Sequence, residues 1–130
     1  MPITVHSDDV EAETADLGTI GGTWRELSSA AGSVRIGAAR IEVPAGKAAT
    51  PQHAEDEEIF YVLGGSGWSV QEDGCFAIAE GDVIYYGAAR PAHTVVAGDD
   101  GLDVLALGTV VPMHNALRFA RLGMVKTGGL

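Results

Sequence analysis

The sequence predicts an all-β barrel or sandwich, and three observations carry that prediction. Val34 to Val43 alternates along its length, the period of a half-buried strand. Ile59 to Leu63 is a run of aromatic and branched apolar residues, the composition of a buried strand. Short segments of this kind recur at even spacing with glycine and Asp-rich turns between them.

The elements follow in order. Residues 1–22 are polar and acidic and read as an extended N-terminal arm. Thr23 to Leu27 reads as a short strand and Ser28 to Gly32 as a turn. Val34 to Val43 is one long strand or two, ended by Pro44-Ala45-Gly46. Ile59 to Leu63 is the next, closed by a turn at Gly64-Gly65-Ser66-Gly67. Trp68 to Gln71 and Cys75 to Ala79 flank Glu72-Asp73-Gly74, a hairpin signal. Val83 to Tyr86, His93 to Ala97 and Leu102 to Val111 complete the set, the last two separated by a turn at Gly98 to Gly101. Asn115 to Leu122 has near-helical apolar spacing and reads as a short C-terminal cap.

Composition bounds the function. A chain of 130 residues suits one domain. Eight basic against 18 acidic residues give a net charge of -10, which disfavours nucleic acid, whose phosphates need Lys and Arg. A single cysteine, Cys75, excludes an intramolecular disulfide and a multi-thiolate zinc site. No signal-like start and no membrane-length apolar run is visible, so a cytoplasmic setting is expected.

The chemistry-bearing residues sit at predicted strand edges. His53 leads through Ala54-Glu55-Asp56-Glu57 to Glu58, where the Ile59 strand starts. Gly81 leads through Val83-Ile84-Tyr85-Tyr86-Gly87 to His93. Imidazole and carboxylate donors of this kind suit divalent transition metals. If Glu58 faces inward, so do Phe60 and Val62, giving a polar end above an apolar floor. Tyr85 and Tyr86 alternate, so one faces in, where its phenol can orient a substrate or act as an acid. Trp68 is a candidate pocket wall, and Arg40 a candidate for a substrate carboxylate.

These segments resemble the two motifs of the cupin superfamily. Glu58, six residues and Gly65 match the end of the first motif, and Gly81, Gly87 and His93 a version of the second one residue longer. Ala97 stands where the second motif has Asn. The first motif has two histidines, and this chain has only His53, which aligns with the first or the second depending on where counting starts. Glu55, two residues on, is a candidate replacement.

The resemblance spans roughly Ser33 to Leu107. It implies a jelly-roll (double-stranded β-helix) barrel over residues 23–130. It also implies one divalent metal per chain (Fe, Mn, Zn or Ni), with His53, Glu58 and His93 as ligands and Glu55 as a fourth candidate. The function it implies is a metal-dependent enzyme for a small organic substrate, foremost a non-haem-iron-type dioxygenase. The alternatives are a Lewis-acid isomerase, polyketide cyclase or lyase, and a metal-poor barrel that only binds a small ligand. A homodimer is expected, with Trp24 anchoring the contact.

Overall fold

The computed structural model describes residues 4–49, 57–88 and 92–109. Among the described residues, seven strands form one antiparallel sheet: β1 (Ala12–Leu17), β2 (Ile20–Glu26), β3 (Ile36–Val43), β4 (Glu58–Gln71), β5 (Gly74–Ala79), β6 (Val83–Tyr86) and β7 (Thr94–Thr109). Their order is β1-β2-β3-β7-β4-β5, with β6 paired to β4. Ala48 bridges Ile20 on one side and Val96 on the other. His53, Glu55 and the predicted C-terminal cap lie outside the described residues.

The sheet is organised by its two longest strands, β4 and β7, which pair with each other along their lengths. Two predicted turns are absorbed into them. Gly64 to Gly67 does not end a strand; β4 runs through it with irregularities between Val62 and Gly64 and between Gly65 and Gly67. Over the same step the register on β7 jumps from Leu102 to Ala97, so the predicted Gly98 to Gly101 turn becomes an excursion inside β7. The glycines permit this because the two backbones come too close for side chains. A Cβ on Gly67 would lie 2.0 Å from the Val96 carbonyl oxygen, and one on Gly65 would lie 2.1 Å from that of Gly101. Gly65 also has φ 79°, in the left-handed region that glycine tolerates.

This irregularity reverses the alternation along β4. Before it, Glu58, Phe60 and Val62 are buried; after it, Gly67 and Ser69 are. A bulge does this because one extra residue exchanges the faces of everything beyond it. Around the inward face, Trp24, Ile41, Val43, Phe60, Val62, Val95, Leu102 and Val104 form the core.

Two further local findings differ from the sequence reading. Residues 12–17 of the predicted arm form β1, which pairs with β2 and so covers an edge of its own sheet. The predicted Ser28 to Gly32 turn is instead a short helix, α1 (Leu27–Ala31). Gly32 ends it at φ 87°, with the Ser33 N–H returning to the Ser28 carbonyl at 2.8 Å, a common glycine stop. The Glu72-Asp73-Gly74 hairpin forms as predicted, with Gln71 opposite Gly74. No helix among the described residues is long and apolar enough to cross a membrane.

Candidate functional site

Glu58 opens β4, opposite Tyr86 on β6 and Gly108 on β7. Its carboxylate points inward and is only 1% exposed. Gly108 leaves the room it needs: a Cβ there would come within 3.4 Å of Glu58 Cγ and 2.9 Å of the Glu57 carbonyl. His93, one residue before β7, is 4% exposed and places Nε2 2.9 Å from Glu58 Oε1. A buried carboxylate is costly unless paired and hydrogen-bonded, and this imidazole supplies a partner.

Aromatic rings fix the histidine. Tyr86 stacks on it with centroids 3.7 Å apart and planes 10° from parallel. Phe60 meets Tyr86 edge-on at 5.1 Å and His93 at 5.8 Å, so it walls the pair on the core side. The Tyr86 hydroxyl lies 2.8 Å from Ser69 Oγ, and Gln71 Nε2 donates to the same Oγ at 3.2 Å. Burial pushes the Tyr86 phenol up to about 12; the nearby Glu58 charge adds to this, and the Ser69 hydrogen bond opposes it. Above lies a cavity of about 310 Å³, lined by residues 71–73 and 85–87 together with His93.

The structure therefore brings Glu58, His93, Tyr86 and Phe60 together. Val62 lies deeper in the core. Tyr85 lines the cavity mouth and donates to Glu57 at 2.6 Å. Trp68 lies on the outer face, 44% exposed, because the β4 irregularity turns Ser69 inward in its place. Arg40 is held by Asp103 through two bonds of 3.0 and 2.8 Å and also donates to Ser7, away from the cavity. That carboxylate raises the guanidinium pKa above its ordinary value. His53 and Glu55 lie outside the described residues. Ser69 and Gln71 were missed because simple alternation from Glu58 places both on the outer face; only the glycine cluster at 64–67 hints at the reversal.

The donor chemistry at the pair, one carboxylate and one imidazole, fits a divalent transition metal. The described residues contain no group of three or more His, Cys, Asp or Glu able to hold one. A complete set thus needs donors from outside them, and the 50–56 segment carries His53 and Glu55.

This antiparallel architecture, with an inward Glu–His pair near the start of paired strands, is the fold of solved cupin-superfamily barrels. No family model and no curated protein matches the sequence. Solved structures do. The chain is similar to the polyketide cyclase RemF from Streptomyces resistomycificus, at 25% identity and TM-score 0.68 over 84% of this chain and 80% of that one. It is similar to a cupin-superfamily sugar phosphate isomerase from Silicibacter pomeroyi, at 22% identity and TM-score 0.72 over 84% and 76%. An RmlC-like cupin from Shewanella frigidimarina aligns at 15% identity and TM-score 0.69 over 86% and 94%.

Proposed function

We propose that this chain is a metal-dependent cupin enzyme that rearranges a small oxygenated organic molecule, by cyclisation or isomerisation. The observation that carries the reading is the buried Glu58–His93 pair, 2.9 Å apart, whose histidine lines a cavity that Tyr86 also lines. A divalent metal held by Glu58 and His93, with His53 or Glu55 as further donor, would supply Lewis-acid polarisation of a substrate oxygen. The chain's own residues do the rest. Phe60 packs edge-on against the histidine and tyrosine and keeps that side apolar. Stacking on Tyr86 holds the His93 ring plane, and Gly108 gives Glu58 its place. Glu72 and Asp73 put negative charge at the cavity, which favours neutral substrates over anionic ones. The similarity to a polyketide cyclase supports a neutral, carbonyl-rich substrate.

A second reading is favoured by the donor types alone. Imidazole and carboxylate together are what non-haem iron oxygenases use, so a dioxygenase follows if iron is the metal. One experiment separates the two. The purified protein is analysed for metals, then incubated with aromatic polyketones while oxygen uptake and product mass are followed. Loss of water or an unchanged mass without oxygen consumption supports the cyclase–isomerase reading. Stoichiometric oxygen uptake overturns it in favour of the dioxygenase. A protein that takes up no transition metal after reconstitution overturns both and leaves a ligand-binding barrel.

A further inference from the structure

Three polar side chains are linked at the cavity wall, Gln71 to Ser69 to Tyr86, with Gln71 and Tyr86 both lining the cavity. Gln71 Nε2 donates to Ser69 Oγ at 3.2 Å, which occupies one lone pair of that oxygen. Ser69 is 1% exposed, so its single proton needs an acceptor inside the protein. The Tyr86 oxygen, 2.8 Å away, is the acceptor given by the described residues. Ser69 then donates to Tyr86, and the phenol keeps its own proton for something else. Tyr86 is buried against His93 and Phe60, but it lines the cavity. Among the described residues the Tyr86 phenol proton then has no acceptor, and the cavity that Tyr86 lines is where that proton can be used.

We propose that Tyr86 is a fixed hydrogen-bond donor to a carbonyl, enolate or phenolate oxygen of the ligand, and that Gln71 and Ser69 are positioning residues that set this polarity. The inference rests on the reading that this cavity takes the substrate, but not on a metal being bound. It sharpens the substrate class: the ligand must offer an oxygen acceptor beside the Glu58–His93 pair, and a group that can only donate there is rejected. The unfavoured direction is well defined. If the Gln71 amide were reversed, its Oε1 would take the Ser69 proton, Ser69 would accept from Tyr86, and Tyr86 would present only lone pairs to the cavity.

Acetophenone, whose one polar group is an acceptor carbonyl, serves as the probe, with chelator-treated protein so that no metal contact contributes. Binding is followed by NMR titration, and the carbonyl stretch of the bound ketone by infrared difference spectroscopy. In the parent the stretch moves to lower frequency than in an apolar solvent. Tyr86→Phe keeps the ring stack and removes the donor, so the shift disappears and the Kd rises about tenfold, as expected for one buried hydrogen bond. Gln71→Glu is the decisive variant. Its carboxylate can only accept, which draws the Ser69 proton away and turns the phenol toward Ser69. It should abolish the carbonyl shift although the phenol is still present, whereas Gln71→Leu, which removes the bias without reversing it, should weaken the shift without abolishing it. An unshifted carbonyl in the parent, a shift that survives Gln71→Glu, or no binding by the parent overturns the proposal. None of these results bears on metal content, so the proposal can fail while the metal reading stands.

Discussion

Replacing His93 by Ala tests how strongly the two members of the buried pair depend on each other. Glu58 is 1% exposed and His93 4%, and their side chains meet at 2.9 Å. Removing the imidazole takes a hydrogen-bond partner from a fully buried carboxyl and leaves a ring-sized cavity, at a cost of about 3–5 kcal/mol. For a domain of this size that is a fall in Tm of roughly 10–20 °C. A typical domain has 5–15 kcal/mol to lose, so the barrel is expected to stay folded at room temperature. Glu58→Gln keeps a hydrogen-bonding side chain of the same size beside the imidazole and should cost only about 1 kcal/mol. The double variant Glu58→Gln with His93→Ala should lose less than the sum of the two single losses, since the hydrogen bond between these side chains can be lost only once. Urea unfolding followed by circular dichroism, in excess chelator, measures all three. Strictly additive losses, or a His93→Ala cost below about 1 kcal/mol, would refute the view that these two groups are coupled in the barrel interior.

Three other outcomes follow from the geometry. Tyr86→Phe should remove a phenolate transition near pH 12 from an ultraviolet pH titration; because the folded value is raised, its stabilising contribution is full below the ordinary tyrosine range near pH 10 and fades as pH climbs toward 12. Gly67→Ala should destabilise by several kcal/mol, on the order of the largest single-site effects, since the added carbon meets the Val96 carbonyl at 2.0 Å; Gly64→Ala, whose Cβ would meet only Glu80 Oε1 at 3.9 Å, should be close to neutral in a thermal melt. For assembly we propose a homodimer, but Trp24 cannot be its anchor. It is 2% exposed inside the core, so Trp24→Ala should lower stability by about 3–5 kcal/mol rather than dissociate a dimer. The exposed neighbours Ile59, Tyr61 and Val83 offer a better face, and Tyr61→Asp should shift light scattering toward monomer; a parent that is monomeric at high concentration excludes the idea.

The fold class was legible because strand periodicity and turn chemistry are local. Val34 to Val43 alternates, and the Glu72-Asp73-Gly74 hairpin is specified by residues adjacent in the chain. Glu58 and His93 were legible as chemistry-bearing positions mainly through the resemblance of their spacing to the two cupin motifs, since scattered His and Glu alone say little. What the sequence hid is long-range. The glycines at 64–67 read as a turn, since a turn is the commonest use of such a cluster. Their actual role depends on Val96 and Gly101 arriving from β7, some thirty residues away. That one misreading exchanges Trp68 for Ser69 on the inner face, and with it the composition of the cavity wall. Arg40 looked available for a substrate because nothing local to it announces Asp103, its partner across the β3–β7 ladder.

The most direct measurement is transition-metal affinity, determined by equilibrium dialysis and elemental analysis for the parent, Glu58→Gln, His93→Ala and Glu55→Gln. The account predicts about one divalent ion per parent chain and its loss in His93→Ala and Glu58→Gln, each still folded by circular dichroism. A weaker effect in Glu55→Gln would identify Glu55 as the stand-in for the missing histidine, and no effect there would leave three protein ligands. Unchanged metal content in both Glu58→Gln and His93→Ala would contradict the claim that this buried pair is the working centre of the barrel.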